Sequence, residues 1–133
     1  MVDNYFFDSN VLLYLASEDM AKAARAERLL RAGGTISVQV LNELAHVARR
    51  KMKLSVVEVR DWLRLVRWSL KVQPVTEATH DTGMSIAARY RFSTYDAMIV
   101  ASAAIARCDV LYSEDMQHGL QTDVGVTIID PFR

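Results

Sequence analysis

The sequence predicts an α/β fold, namely a three-layer α/β/α sandwich around a mainly parallel central sheet. Short apolar runs alternate along the chain with longer segments of helical periodicity. These helical segments are long enough to carry the chain back across a sheet, as parallel strands require. The 133 residues include only two prolines and five glycines, and no low-complexity stretch interrupts them. We therefore expect a single domain that covers residues 1–133.

Short apolar runs bounded by polar or turn-forming residues are predicted to be strands. The first run is Tyr5-Phe6-Phe7, which ends at Asp8. Pro74 restricts the third strand to an edge or an end of the sheet, because proline has no amide hydrogen to give to a neighbouring strand. The five predicted strands cover residues 5–7, 35–37, 72–75, 110–112 and 126–129.

Apolar spacing and end signals define the predicted helices. Gly33 and Gly34 end a helix, and the spacing of Ser55 and Glu58 is that of a capping box. The final helix is apolar nearly all round and should be buried. The apolar face of the third helix is predicted to contain Val38, Leu41, Leu44, Ala45 and Ala48. The predicted helices cover residues 11–15, 21–30, 38–48, 56–70, 76–89 and 93–107.

Four acidic residues stand where this fold can bring them together. Asp8 follows the first strand, Asp115 follows the fourth, and Asp96 opens the last helix. Glu43 lies inside the helix that follows the second strand. In parallel α/β sheets, ligands bind beyond the carboxyl ends of the strands. We therefore expect these carboxylates to converge at one edge of the sheet.

Converging carboxylates repel one another, and a divalent cation relieves that repulsion. Mg²⁺ and Mn²⁺ prefer oxygen ligands, and such ions activate water and stabilise charge on a phosphate under attack. The sequence therefore predicts a Mg²⁺ or Mn²⁺ site made of the four acids, which suits phosphodiester hydrolysis. Several polar residues nearby are candidates to orient the carboxylates or the substrate: Ser9, Asn10, Ser37, Asn42 and Ser113.

Each acid also has an ordinary structural interpretation. Asp96 comes three residues after Ser93, the spacing of an acid in a helix cap. Asp8 could be a helix N-cap, Glu43 an exposed helical acid and Asp115 part of a solvated turn. Their joint placement at one predicted sheet edge favours the metal site over four unrelated roles.

The ordered set of motifs resembles that of PIN-domain proteins, and specifically bacterial toxin ribonucleases of the VapC type. The first motif is Phe7-Asp8-Ser9-Asn10, and the second is Ser37 followed by Asn42-Glu43. The third is Tyr95-Asp96-Ala97-Met98, which opens an Ala-rich helix, and the fourth is Ser113-Glu114-Asp115. The resemblance covers essentially the whole chain. Many relatives continue the last motif with an Asp-Phe pair, whereas Met116-Gln117-His118-Gly119 follows here.

The resemblance implies a metal-dependent endoribonuclease that forms the toxin half of a toxin–antitoxin pair. It implies that Asp8, Glu43, Asp96 and Asp115 are both the catalytic and the metal-binding residues. Glu114 adds an acid beside Asp115, and Asp115 is the one that matches the motif position. The implied partners are the RNA substrate, a small cognate antitoxin and a second copy of the chain. The antitoxin is expected in a groove that includes residues 10–30, which mix apolar and basic side chains.

Charge and composition narrow the expected setting. Sixteen basic and sixteen acidic residues cancel, so RNA contact must use a local patch. Arg89 and Arg91, just before the Asp96 helix, are candidate RNA contacts, whereas Arg49 and its basic neighbours are expected chiefly to stabilise a helix end. We expect a cytoplasmic protein without a membrane segment. This expectation rests on the acid near the N-terminus, the single Cys108 and the lack of a long apolar run.

Three other functions can be compared with the residues alone, and two of them lack residues that they require. A PIN-like module could bind protein or RNA without cutting, although the full acidic set argues against lost catalysis. A phosphotransferase of the haloacid dehalogenase type needs an acid two residues after Asp8, where Asn10 stands. A di-iron site needs two Glu-x-x-His elements, and the sequence has only the pair Glu43 and His46. His80 and His118 are expected to be surface or loop residues rather than ligands.

Overall fold

A computed structural model describes residues 4–133. The acid at position 3, one ground for the predicted cytoplasmic location, lies outside the described residues. Within them, five strands form one parallel sheet in the order β3-β2-β1-β4-β5. This confirms the predicted fold class and places Pro74 just beyond an edge strand. The strands are β1 (Tyr5–Phe7), β2 (Thr35–Ser37), β3 (Lys71–Gln73), β4 (Val110–Tyr112) and β5 (Thr127–Ile129).

Helices connect the strands, as parallel pairing requires. A short 3₁₀ turn, Tyr14–Ala16, joins the first two helices. No helix in residues 4–133 is both long and apolar enough to cross a membrane. The helices are α1 (Ser9–Leu13), α2 (Met20–Ala32), α3 (Val38–Arg50), α4 (Val56–Ser69), α5 (Glu77–Tyr90) and α6 (Thr94–Ile105).

The middle strand, β1, has protein on both sides. Phe6 and Phe7 are each 0% exposed, and successive side chains of a strand point to opposite faces of the sheet. Both faces are therefore covered at this strand, which is the arrangement of a three-layer sandwich. Helix α6 supplies much of the core, since its residues from Ala97 to Ala103 are all buried.

Two predicted helix-end signals are confirmed in detail, and the helices begin and end within about two residues of the predicted positions. Ser55 and Glu58 form the expected reciprocal capping box at the start of α4. Gly33, with φ of 88°, caps the end of α2 in a conformation that residues with a Cβ rarely adopt. The last helix ends at Ile105 rather than Arg107, because Arg107 has turned to a positive φ of 59°.

The predicted buried face of α3 was partly wrong. Val40, Leu44 and Ala48 are fully buried, whereas Val38 is 40% exposed. Ser37 ends β2 and its side chain caps α3, so the helix begins directly at the edge of the sheet. Residues spaced four apart, namely Val40, Leu44 and Ala48, then face the core, and Val38 is left at the surface.

Gly34 has no room for a side chain. A Cβ at this position would stand 2.5 Å from Cε2 of Phe7 and 2.9 Å from the carbonyl oxygen of Tyr5. Neither neighbour can move easily, because Phe7 is buried and the carbonyl belongs to the central strand.

Gly34→Ala is therefore expected to lower the free energy of unfolding by about 1–3 kcal/mol, measured by urea denaturation. Gly83→Ala is the matched control, since its new methyl group would meet chiefly the flexible end of Met98. A Gly34→Ala protein as stable as the wild type would contradict this packing.

Candidate active site

The strand order creates a crevice beside β1. The chain leaves β1 for β2 on one side and later returns to pair β4 on the other. At such a switch point the connections diverge, and the carboxyl ends of the two strands border an opening. Asp8 follows β1 directly, and Ser113 follows β4. Their side chains meet there, with Ser113 Oγ donating to Asp8 Oδ2 at 2.9 Å.

Asp8 is the most enclosed of the four acids, at 6% exposed. Its Oδ1 accepts the backbone N–H of Ser9 at 2.7 Å, so the carboxylate also caps α1. Its Oδ2 accepts from Ser113 and, at 3.3 Å, from Nδ2 of Asn10. The expected cap is therefore present, together with contacts from two of the polar residues singled out in the sequence.

Burial dominates the electrostatics of Asp8. Desolvation raises the pKa of its carboxyl to about 6, and repulsion from Glu43 and Asp96 pushes in the same direction. The hydrogen bonds from Ser113 and Ser9 lower the pKa but do not offset these effects. An ionised Asp8 is thus in an unfavourable position unless a positive charge stands beside it.

Glu43 projects toward the same crevice from α3. Ser9 Oγ donates to Glu43 Oε1 at 3.1 Å, which links this acid to the residue beside Asp8. Partial burial raises the pKa of Glu43, and repulsion from Asp96 adds to the rise, while hydrogen bonds from Ser9 and Gln39 act against it.

Asp96 and Asp115 complete the acidic group. Asp96 lies in the first turn of α6, where its backbone N–H donates to Ser93 Oγ at 3.2 Å. That bond uses the main chain, so the expected helix cap leaves the carboxylate available. Partial burial raises the pKa of Asp96, and so does the neighbouring charge of Asp115. Asp115 itself is exposed, just after β4.

The four carboxylates are thus electrostatic neighbours, although they do not form a closed ligand cluster. Asp8 is affected by Glu43 and Asp96, and Asp96 by Asp115. Nevertheless, in residues 4–133 no three Asp, Glu, His or Cys side chains are arranged as a ready cation-binding group.

The chemistry of this group fits a hard divalent cation. All of the candidate ligands are carboxylate oxygens, which Mg²⁺ and Mn²⁺ favour. Within the described part of the chain, no lysine or arginine forms an ion pair with any of the four. Several mutually repelling acids without a basic partner are what a cation would stabilise.

The other predicted site residues divide into two groups. Asn10 and Ser9 belong to the hydrogen-bond network around Asp8, whereas the buried Ser37 hydroxyl is used to cap α3. Arg89 forms an ion pair with Asp123, and Arg91 lies exposed at the end of α5 in the left-handed conformation.

The Glu114 side chain binds residues outside the group of four acids. Lys22 Nζ donates to its Oε2 at 2.7 Å, and the Tyr14 hydroxyl donates to its Oε1 at 2.5 Å. Burial alone would raise the pKa of Glu114, but these two hydrogen bonds outweigh it and the pKa is lowered. Sequence reasoning missed this cluster, because nothing local connects Glu114 with residues 92 and 100 positions away.

A cavity of about 890 Å³ adjoins the acidic group. Ser9, Glu43 and Asn42 lie in its wall, together with Tyr95 and Met98 of α6. His80, expected at the surface, is exposed yet also lines this cavity. His118 instead accepts the backbone N–H of Asp130 at 2.9 Å, as expected for a loop residue.

A second cavity, of about 570 Å³, continues along α3. It shares Asn42 and His46 with the first and reaches Arg49 and Arg50 at the end of the helix. A path along one face of α3 therefore runs from the acidic group to two arginines. The sequence placed these arginines at a helix end but did not connect them with the site.

The raised pKa of Asp8 predicts a pH-dependent effect of Asp8→Asn. The folded protein holds the Asp8 proton more tightly than the unfolded chain does, so this residue's contribution to stability is complete below about pH 4 and is lost as the pH rises through about 6. In EDTA, we expect Asp8→Asn to raise the free energy of unfolding by about 1–3 kcal/mol at about pH 8 and by much less at about pH 4.

Denaturant titrations at the two pH values measure this difference. Asp61→Asn, on the exposed face of α4, is the control and should show no such pH dependence. If Asp8→Asn destabilised the protein equally at both pH values, the unfavourable charge assigned to Asp8 would be wrong.

Comparisons with known proteins agree with this architecture. The family model described as PIN domain matches residues 5–119. A comparison with curated proteins found no significant match. Among solved structures, a toxin–antitoxin complex from Klebsiella pneumoniae is similar with a TM-score of 0.72 and 18% identity, over 96% of this chain and 98% of that one.

Two further structures have the same fold. Mycobacterium tuberculosis VapC20, a toxin that cleaves the sarcin-ricin loop, has a TM-score of 0.68 and 19% identity, over 84% of this chain and 90% of that one. A DNA-bound VapBC from Salmonella typhimurium has a TM-score of 0.67 and 18% identity, over 98% of this chain and 99% of that one. The family match spans most of the sequence and agrees with the five-stranded parallel sheet, so the chain belongs to the PIN domain family.

Proposed function

We propose that the protein is a metal-dependent endoribonuclease that hydrolyses phosphodiester bonds of RNA, and that it acts as the toxin of a type II toxin–antitoxin system. The observation that carries this proposal is the group of four repelling carboxylates, without an ion-pairing basic partner among the described residues, at the crevice of a PIN fold. The similar structures support the toxin role, since they include a VapC toxin and toxin–antitoxin complexes.

Asp8, Glu43, Asp96 and Asp115 are the residues that would hold the ion, Mg²⁺ or Mn²⁺. When bound, such an ion supplies an activated water and stabilises negative charge on the phosphate. Three of the four acids would gain from that positive charge, because burial and mutual repulsion disfavour the ionised forms of Asp8, Glu43 and Asp96.

The neighbouring polar residues hold the carboxylates in place. Ser113 and Asn10 bind one oxygen of Asp8, and the Ser9 amide binds the other. The Ser9 hydroxyl fixes an oxygen of Glu43. This network restricts two of the four acids to defined orientations before the ion arrives, which reduces the ordering that ion binding requires.

The two cavities along α3 suggest a path for RNA. The larger borders Glu43, and the smaller ends at Arg49 and Arg50, whose charges suit backbone phosphates. This gives the basic end of α3 more weight as an RNA contact than the sequence did. Arg91 remains a second candidate, whereas Arg89 would first have to leave Asp123.

Two protein partners belong to the proposal. One is a small antitoxin, which is expected against α1 and α2, where residues 10–30 mix apolar and basic side chains. The other is a second copy of the chain, giving a homodimer. The proposed setting is the cytoplasm.

Asp96→Asn is expected to reduce RNA cleavage by more than about 100-fold, because it removes a charge from the proposed metal site. The helix cap should survive, since Ser93 binds the main chain of residue 96. The assay incubates purified protein with total bacterial RNA in Mg²⁺ and maps new 5′ ends by sequencing. Asp81→Asn, which alters an exposed acid of α5, is the control and should cleave as the wild type does.

Two results would contradict the proposal. Equal cleavage in EDTA and in Mg²⁺ would exclude a metal-dependent reaction. Tight Mn²⁺ binding by the wild type without any RNA cleavage would instead favour a PIN-like module that binds without cutting.

A further inference from the structure

We propose that Glu114 is a positioning residue for the acidic group and not one of its metal ligands. Its side chain is anchored to the 3₁₀ turn through Tyr14 and to α2 through Lys22, and its backbone amide fixes Asn10, which in turn holds Asp8. This inference rests on the function proposed above. It assigns opposite roles to two adjacent acids, Glu114 and Asp115.

The anchor uses both oxygens of the Glu114 carboxylate. The Tyr14 hydroxyl donates to Oε1 at 2.5 Å, and Lys22 Nζ donates to Oε2 at 2.7 Å. Lys22 also donates to the Tyr14 hydroxyl at 3.1 Å, which closes the three groups into a ring. The side chains of Lys22 and Glu114 are only 35% and 24% exposed, so water screens this ion pair less than an ordinary surface pair.

Aromatic rings add to the hold on Lys22. Its ammonium lies 4.7 Å from the centre of the Tyr14 ring and 5.5 Å from that of Phe132. The two rings pack edge to face with centres 4.8 Å apart. A cation within about 6 Å of a ring face is attracted by the ring's electrons. The lysine therefore has a defined position, and Glu114 has a fixed partner rather than a mobile one.

The backbone of Glu114 connects this anchor with the acidic group. Its N–H donates to Asn10 Oδ1 at 3.1 Å. The same Asn10 side chain donates through Nδ2 to Asp8 Oδ2 and to Ser113 Oγ, each at 3.3 Å. A displaced Glu114 backbone would therefore turn the Asn10 amide and loosen Asp8. It would also move Asp115, the next residue along the chain.

Recruiting Glu114 as a ligand would break this arrangement. Its charge is already balanced by Lys22, and its two oxygens already accept hydrogen bonds. Turning the carboxylate toward an ion would leave the Lys22 ammonium without its ion-pair partner in a partly enclosed position, which is unfavourable. Asp115 is exposed and electrostatically coupled to Asp96, and it forms no ion pair with a basic residue in the described part of the chain.

Lys22→Met separates the two roles, because they predict changes of opposite sign in Mn²⁺ affinity. If Glu114 positions the group, removing its anchor should raise the Mn²⁺ dissociation constant by about tenfold, the low end of the effects of residues that orient metal ligands. If Glu114 is a ligand held back by Lys22, the same change should tighten Mn²⁺ binding. Isothermal titration calorimetry of the full chain with Mn²⁺ alone measures this dissociation constant.

The companion variants test the mechanism. Lys22→Arg keeps the cation, so this variant should bind Mn²⁺ nearly as tightly as the wild type. The double variant with Lys22→Met and Glu114→Gln should lose no more Mn²⁺ affinity than either single variant. The cleavage defect of Lys22→Met should shrink as Mn²⁺ is raised to saturation. The control is Arg31→Met, which removes a cation from the exposed pair of Arg31 and Glu27 on the same helix and should change neither quantity.

The outcomes distinguish this inference from the proposed function. A wild-type protein that binds Mn²⁺ and cleaves RNA, with Lys22→Met binding Mn²⁺ equally well or more tightly, would overturn the positioning role alone. Additive losses in the double variant would also overturn it. A wild-type protein that neither binds Mn²⁺ nor cleaves RNA would overturn the proposed function and this inference with it.

Discussion

Repulsion among carboxylates at the ends of β1 and β4 is the constraint on which the candidate site depends. Asp8 is buried beside two other acids, and no lysine or arginine of the described chain forms an ion pair with it. The ionised form of Asp8 needs a positive charge beside it, because hydrogen bonds from Ser113 and Ser9 offset only part of the cost of burial and repulsion. A divalent cation meets that need, and the oxygen-only donor set is suited to one. The nuclease proposal follows from this electrostatic argument and from the PIN fold together.

The parallel sheet explains why residues so distant in sequence can meet. Strand order β3-β2-β1-β4-β5 places the ends of β1 and β4 side by side, and the connecting helices diverge there. Asp8 and Ser113 each follow one of these strands and bond directly across the crevice. Helices α3 and α6 add Glu43 and Asp96, which the core fixes because both helices are packed against the sheet. The acids nevertheless stop short of a closed cluster, so the ion itself would complete the site.

The sequence predicted the sheet well, because short apolar runs and end signals are local features. It also predicted that these acids would lie near one another, and the structure couples Asp8, Glu43 and Asp115 electrostatically with Asp96, whereas their binding of a metal stays a prediction. It misjudged the face of α3, where several apolar residues compete for the core and only the packing decides that Val40 is buried and Val38 is not. It could not foresee that Lys22 and Tyr14 hold Glu114, because side-chain contacts across 92 and 100 residues leave no periodic signal. The two cavities along α3 could not be predicted from the sequence either, because a cavity depends on how the folded residues pack.

The most direct test of the account is to locate manganese in the folded protein. Crystals of the wild-type chain grown with Mn²⁺ would be examined by anomalous X-ray scattering at the manganese edge. We expect an anomalous peak within about 2–2.5 Å of carboxylate oxygens of Asp8 and Asp96, with Glu114 still bound to Lys22. A peak coordinated by Glu114, or no peak near Asp8 at a saturating Mn²⁺ concentration, would contradict it.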